Sequence, residues 1–474
     1  MTTYIRDAIM RNPIRQRGAG YPAAAIVLLA ALFSSMLPAC DEEPPVVIEQ
    51  PGYPGQLRMA VEYRSSFELG MRCGSADTAR PIVLRIHCEP RNLTFSFTLF
   101  GADTIVVLRG MRKATNYHIS LARREGGTTR DSLPPVEVST LGLSARGFRW
   151  EEFRIGEPPS IMNDVWVAND SCILAAGMGM GDPSLGPAKL TELARWDGRR
   201  WHTERTYDFG GELTAVFGFS ESDIWVANSH AFHYDGKKWT NVSKQFGAYA
   251  QWYFRDIWGD RPDNVWFVGA RGSIMHWDGV KLTTMNRGPD VTFYSVAGSG
   301  DSVAYAVSWF YPPYTGHLWR YRRGVWSVWM TLEGRNQTEA NMKYHMKTFL
   351  IHGGALWCDE TGDLLVGGKY LYSWHAERWR MVEALEGNEI SYQPPYHGIN
   401  SISGNNSADY VMLAGYGMVY HYNGQDFSLE RGYWNPADPH AWVGAHISMS
   451  GNTVCVGATI SDPINRAFVV VGRR

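Results

Sequence analysis

The residues able to do chemistry in this 474-residue sequence fall mostly in irregular stretches between strand-like runs. Asp182, Glu339, Glu386, Glu389 and Asp438 are carboxylates of this kind. Hydrolysis of a glycosidic bond needs two carboxyl groups facing each other across the substrate, or a tyrosine nucleophile in place of one of them. Three arginines could hold a substrate carboxylate in such a site. Arg255, Arg335 and Arg378 are candidates, but no spacing singles them out. His317, His345, His397 and His440 could bind a metal. No H-x-x-H or H-E-x-x-H pattern supports that, so neither metal nor cofactor is expected. There is also no C-x-x-C, no G-x-S-x-G elbow and no phosphate-cradling glycine loop.

The elements that must position these residues form a repeat. RWDGRRW (195–201), HYDGKKW (233–239) and HWDGVKL (276–282) are versions of one string. Aligned on its glycine, the string recurs at Gly198, Gly236, Gly279, Gly324, Ala376 and Gly424, at intervals of 38 to 52 residues. That is about one four-stranded propeller blade. Each unit has the same order: a strand ending near a glycine-rich turn, a second strand such as DIWVAN or NVWFVG, and a third ending in the quoted string. The fourth then starts at its Trp. Asp-Gly makes the turn of a hairpin, with glycine at positive φ. Asp197, Gly198, Asp235, Gly236, Asp278, Gly279, Asn423 and Gly424 are therefore read as structural.

Seven blades are expected, starting near Ser160, Leu213, Tyr253, Phe293, Phe349, Ile399 and Trp442. The last has three strands of its own. An orphan strand at 148–155 is expected to complete it and close the ring, which removes exposed edges. Residues 56–142 read as about seven short strands with turns between them, the pattern of an antiparallel sandwich. The fold class is thus all-β: a small sandwich at 56–142 followed by a seven-bladed β-propeller at 148–474.

The N-terminus reads as a targeting segment. Arg6, Arg11, Arg15 and Arg17 precede the apolar run AAAIVLLAALF, which is short for a membrane-spanning helix. LPAC, 37–40, follows. Residues 1–39 are read as a signal peptide and the acidic, proline-rich 40–55 as a tether. Of the other cysteines, Cys73 and Cys88 lie in one small domain and could form a disulfide in an oxidising compartment. Cys172, Cys358 and Cys455 sit in apolar runs and read as small hydrophobes. Net charge is −2 with no basic block, so nucleic-acid binding has no electrostatic footprint.

Three resemblances follow from these residues. LPAC resembles a bacterial lipobox, which implies a lipidated, palmitate-bearing Cys40 and membrane attachment through it. LRGMRKATNY (108–117) resembles the stretch before strand F of fibronectin type III domains. It implies a corner tyrosine at Tyr117, although Lys113 stands where that family usually has proline and its core Trp is missing. D-G-x-x-W is similar to the Asp-box of sialidase-like propellers, without the preceding Ser/Thr; in those proteins it is structural and lies away from the active site. The whole plan also resembles a group of bacterial secreted propeller lipoproteins, some labelled glucosyltransferases. The expected location is the bacterial cell envelope, with outer membrane or cell surface favoured over the inner membrane.

In a propeller with strands A to D, the B–C and D–A connections share one face. The long segments 177–193, 244–252, 309–317, 332–348, 386–397 and 432–441 all map there. Insertions confined to one face suit binding. The candidate binding face comprises Tyr249, Trp252, Trp309, Phe310, Tyr311, Tyr314, Tyr392, Tyr396, Tyr433 and Trp434. Aromatic side chains suit protein and glycan partners alike. The sequence thus favours a monomeric, membrane-tethered binding scaffold for a protein or glycan. The alternative is a glycan-processing propeller enzyme, and a centripetal pair of acids with a tyrosine at the channel mouth would distinguish it.

Overall fold

The computed structural model describes residues 57–77, 81–181, 191–203, 207–246, 253–285, 291–300, 303–310, 315–332, 354–359, 361–368, 371–375, 378–382, 399–414, 417–431, 442–461 and 465–474. The chain divides into two compact units, Met1–Glu49 and Gln50–Arg474. The first lies outside the described residues, as does Cys40. No described helix is long and apolar enough to cross a membrane.

Two sheets come first. One contains Leu57–Arg64, Glu68–Ser75 and Asp103–Arg109; the other is built on Ile82–Glu89 and Asn116–Glu125 and has five strands. Alternation decides which side chains go inside. Ile82, Leu84, Ile86 and Cys88 point one way along their strand and are buried, while Val83 and Arg85 point the other way and are exposed. Buried residues of both sheets form one core around Leu69, Met71, Leu84 and Tyr117. The Tyr117 hydroxyl accepts the Arg112 N–H at 2.7 Å. Eight strands are present where seven were expected. The added one, Thr128–Ser132, has the polar sequence TTRDS and so carries no hydrophobic alternation to reveal it.

The disulfide considered between Cys73 and Cys88 is not formed. Both are free, fully buried thiols, one in each sheet, filling the shared core as small apolar side chains. Burial pushes each thiol up to about 12, so both are unreactive as thiolates.

The rest of the chain makes seven four-stranded antiparallel sheets, six of them in simple A-B-C-D order. The seventh joins Trp442–Ser450, Thr453–Ser461 and Asn465–Arg473 to Arg149–Arg154 as its outermost strand. Val469 pairs with Phe153 and Val471 with Glu151, so the two ends of the propeller sequence meet within one blade. The protein is a seven-bladed β-propeller. Each second strand is buried on both faces between neighbouring blades; Asn264–Gly269 is buried at every position. Such strands read as continuous apolar runs. Blade starts agree with the sequence to within a few residues except in blade 5, where the first strand is Ala355–Cys358 and Phe349 lies outside the described residues.

The repeated string has one geometry. Asp197 Oδ1 accepts the N–H groups of Arg199 and Arg200 at 2.8 and 2.9 Å. Asp235, Asp278 and Asn423 bind the two equivalent N–H groups of their own turns in the same way. The glycine after each has φ between +83° and +93°. The turn also packs on the A–B turn of its own blade: a Cβ on Gly236 would lie 2.8 Å from Ser222 Cβ. Left-handed backbone and close approach both demand glycine. Gly236→Ala is expected to lower stability by about 1–2 kcal/mol from the backbone term alone, measured as a shift in urea midpoint at unchanged m-value.

The strings contain a second structural device. His233, His276 and His421 precede the turn residue by two. They bond to Asp223 at 2.8 Å, Asn264 at 2.7 Å and Asp409 at 2.9 Å, each at the head of the second strand of its own blade. His233 and His276 also stack on Trp225 and Trp266 at centroid distances of 4.0 and 4.2 Å. The Asp/Asn-x-Trp and His-aromatic-Asp-Gly strings are therefore two halves of one contact.

Candidate functional site

The first strands of all seven blades surround a central channel of about 600 Å³, a size within the usual range for ligand sites. One position of each first strand corresponds from blade to blade: Asp164, Ala215, Asp256, Ser295, Ala355, Ser401 and His446, of which all but the buried Ala215 line the channel as a ring. Their pairing partners in the second strands correspond from blade to blade. In five blades this residue directly follows a register shift, and these are the five polar ones. A bulge re-aims a side chain. The ring lies toward the D–A end of each strand, on the face that carries the long connections. Two residues further along stand Trp166, Phe217, Trp258 and Trp357, which give the channel an aromatic half.

The ring residues first of all bracket neighbouring blades. Asp164 accepts Val165 N–H with Oδ1 and Val216 N–H, in blade 2, with Oδ2, both at 2.8 Å. Asp256 does the same with Ile257 and with Val296 in blade 4, again at 2.8 Å. Ser401 Oγ accepts Ile447 N–H, in blade 7, at 3.2 Å. His446 closes the series, its Nδ1 standing 3.1 Å from Asp164 Oδ1 of blade 1.

Charge is concentrated here. Burial pushes the Asp256 carboxyl up, and the Asp164 carboxylate adds to this, so that it reaches about 7 despite the hydrogen bond from Val296. Burial pulls His446 down, but the Asp164 carboxylate beside it and Asp256 outweigh that and raise it. His446 keeps 35% of its side-chain surface open. The site thus sets His446 against the Asp164 carboxylate, beside an Asp256 that shares its proton with solvent near neutral pH. Such a group can give or take a proton.

A raised acid is most compatible with folding while protonated. Asp256 binds its proton more tightly in the folded chain, so its contribution to stability is complete below the ordinary carboxyl value and is lost as pH rises from there through about 7; the raised His446 acts in the same direction. The Asp256 part corresponds to about 4 kcal/mol at most. Asp256→Ser removes the charge and leaves a hydroxyl like that of Ser401, which holds the equivalent N–H. The variant is expected to lose much less stability between pH 5.5 and 8 than the parent, as read by chemical denaturation at each pH.

Of the residues singled out from sequence, Tyr249, Trp252, Tyr311, Tyr314, Tyr392, Tyr396, Tyr433 and Trp434 lie outside the described residues. So do Asp182, Arg335, Glu339, His345, Glu386, Glu389, His397, Asp438 and His440. Trp309 and Phe310 belong to the second strand of blade 4, Val303–Phe310, pairing with Gly316 and Thr315, and not to a loop. The β-propensity of the Trp-Phe pair extends that strand to the edge of 311–314. Arg255 is exposed, its guanidinium 5.1 Å from the Tyr253 ring centroid. Arg378 and His317 lie on strands. No group of three or more metal-binding side chains occurs among the described residues. Cys172 and Cys455 are buried and Cys358 half-buried, all free.

Sequence reasoning missed the ring. Its residue types differ from blade to blade, and each lies among strand residues without a motif. The signal that existed was the polar residue two places after the apolar start of a first strand, as in FRDIW, FYSVA and INSIS.

No family model matches the sequence, and no curated protein does. Several solved structures are similar in fold. YCF48 bound to D1 peptide matches with a TM-score of 0.45 at 13% identity, over 70% of this chain and 99% of that one. The WD40 β-propeller domain of Doa1 matches with a TM-score of 0.33 at 11% identity, over 69% and 97%. Trypanosoma rangeli sialidase matches with a TM-score of 0.33 at 11% identity, over 74% of this chain and 56% of that one. The propeller assignment stands on the seven blades and their closure.

Proposed function

We propose that the protein is a lipid-anchored component of a bacterial cell envelope whose propeller binds a protein or glycan ligand on the face carrying the B–C and D–A connections. The observation that carries this reading is the distribution of chain between strands. The A–B turns are short in every blade, as at 170–171, 221–222, 262–263, 407–408 and 451–452. The described strand ends on the opposite side are instead separated in sequence by the longer stretches 181–190, 242–253, 333–354, 382–398 and 432–441. The mouth of the channel, with its charged ring, opens on that same face. Chain added only where it is free of the blade hairpins is free to vary for recognition.

In this reading Cys40 carries the lipid, residues 41–55 are the tether, and the fibronectin type III-like domain at 56–142 is a spacer. The Tyr117–Arg112 hydrogen bond supports the fibronectin-like assignment. Several contacts fix the spacer on blade 6. Ser144 N–H donates to Asn423 O at 3.1 Å, Ser407 Oγ donates to Arg64 O at 3.3 Å, and Gly424 lies against Ser66 Oγ. A rigid spacer would hold the propeller at a set attitude to the membrane.

A glycan-processing enzyme is the second reading, and one observation favours it: two carboxylates, His446 and Tyr294 line the same channel, with Asp256 poised near neutrality. Against it, all four oxygens of Asp164 and Asp256 already accept backbone N–H groups. Binding is the better reading. A glycan-array screen of the purified chain, with turnover of any bound sugar followed by mass spectrometry, separates the two. Binding without turnover is the expected result, and weakened binding is expected when Tyr392 and Tyr396, or Tyr433 and Trp434, become Ser. Turnover abolished by Asp256→Ser would establish the enzyme. Silence on the array directs the search to an envelope protein.

A further inference from the structure

A second cavity of about 600 Å³ lies between blades 1 and 2, at the end of the blades that carries the A–B and C–D turns. Its walls bring together Arg195, His202, Lys237 and Lys238 with the rings of Tyr207 and Trp239. No carboxylate lines it. The nearby acids are turned to other partners. Glu221 takes Arg195 at 3.2 Å and also the Asn169 amide, Asp197 takes His202 and the two N–H groups of its turn, and Asp235 caps its own hairpin. Lys237 and Lys238 are exposed, and neither makes a direct ion pair among the described residues, although the Asp235 carboxylate attracts Lys238. They donate their backbone N–H groups to Asp235, which fixes the hairpin, and both residues line the cavity.

The floor is apolar, formed by Leu174 and Ile224 between the two sheet faces. The ring of Trp239 is braced edge-on by Phe209 at 5.2 Å and by a tilted Tyr234 ring at 5.2 Å, so it is a fixed surface rather than a mobile one. A cavity with a rigid aromatic wall, an apolar floor and a basic lining that contains no carboxylate suits a compact anion with a flat apolar face. The walls are sheet faces, whose backbone groups already pair within the blades.

We propose that this inter-blade cleft binds a carboxylated sugar, one or two rings of an acidic oligosaccharide, with Lys237 and Lys238 on its carboxylate and Trp239 against its ring. The site is separate from the loop face, and its failure would leave the reading of that face untouched.

The test uses the full chain purified in detergent. Calorimetric titration with a panel of acidic oligomers (oligogalacturonate, oligoglucuronate, alginate oligomers and sialyllactose) is compared with neutral galactose and lactose oligomers of equal length. At least one acidic member is expected to bind, at least ten-fold tighter than its neutral counterpart, and to weaken as salt is raised because the lysines are exposed. Lys237→Gln with Lys238→Gln should weaken that binding at least ten-fold at unchanged melting temperature. Lys281→Gln, in the equivalent turn of blade 3, should leave it unchanged. Absence of binding to every acidic member, equal binding of neutral sugars, or binding indifferent to the lysine pair would overturn the proposal. So would preferential binding of a poly-glutamate peptide through the same lysines, which would make the ligand an acidic peptide.

Discussion

Replacing Glu151 and Glu152 together by proline is expected to open the propeller. The strand Arg149–Arg154 is the outermost of blade 7 and pairs on one side only, with Asn465–Arg473. On such a strand alternate N–H groups face the partner, so two adjacent prolines must remove at least one inter-strand bond. Both side chains are exposed, so the change adds no cavity. The orphaned acceptor alone costs about 1–3 kcal/mol. Detachment also withdraws Phe153 from Trp196 and Trp201, which it meets at 5.2 and 6.2 Å. The run AFVVVG of the neighbouring strand would then become an exposed apolar edge, prone to pair with another molecule. A large drop in denaturation midpoint with concentration-dependent association is the expected outcome. Glu151→Ala with Glu152→Ala is the control. It removes the pairs with Arg473 and Arg431 but keeps the ladder, and should cost about 1 kcal/mol or less. If the control falls as far as the proline variant, the ion pairs and not closure hold the blade.

That closure was legible in the sequence for a particular reason. Seven units with one three-strand remainder, and one unmatched strand before the first unit, leave a single arrangement without open edges. The blade hairpins were legible because Asp-Gly performs the same task each time, and the physical demand at Gly236 is met again at Gly198, Gly279 and Gly424. The channel was another matter. Asp164, Asp256, Ser401 and His446 occupy one place in the ring with different side chains, because each bracket needs only an acceptor at the right height. Their meeting depends on bulges that no local pattern announces. The His–Asp contact within each blade was half visible. The histidines stood in the repeated strings, in HYDG, HWDG and the related HYNG at 421–424, while their partners lay a strand away in DIW, NVW and DYV. Trp309 and Phe310 show the opposite error, where aromatic residues beside a proline-containing segment read as loop but extend a strand.

The same His–Asp contact supplies the second large effect. At blade 6, Asp409 takes two bonds from the Arg474 guanidinium, 2.9 and 2.5 Å, and one contact with His421 at 2.9 Å. Arg474 is 5% exposed and His421 fully buried, so both depend on this carboxylate. Arg474 also reaches Ala145 O, in the connection from the N-terminal sheets, and Gly451 O of blade 7. One carboxylate therefore ties together blade 6, blade 7 and the connection to the first domain. Asp409→Ala leaves a buried guanidinium unpaired and is expected to cost about 3–5 kcal/mol. Asp409→Asn should fall between, because Asn264 holds His276 in blade 3 with an amide oxygen, but an amide cannot take the guanidinium in a two-pronged grip. Burial pushes the Asp409 carboxyl up, yet the bonds from His421, Arg474 and Asn405 outweigh this and hold it well below the usual carboxylate range. A depressed acid contributes stability above its unfolded value, and that contribution is lost as pH falls through the folded one. The gap between the parent and Asp409→Asn should hence be widest near neutrality and narrow below about pH 4, as read from urea midpoints across that range. A gap that stayed constant into acid would mean that the amide differs from the carboxylate in packing alone, and that Arg474 draws its anchorage from the Ala145 and Gly451 carbonyls.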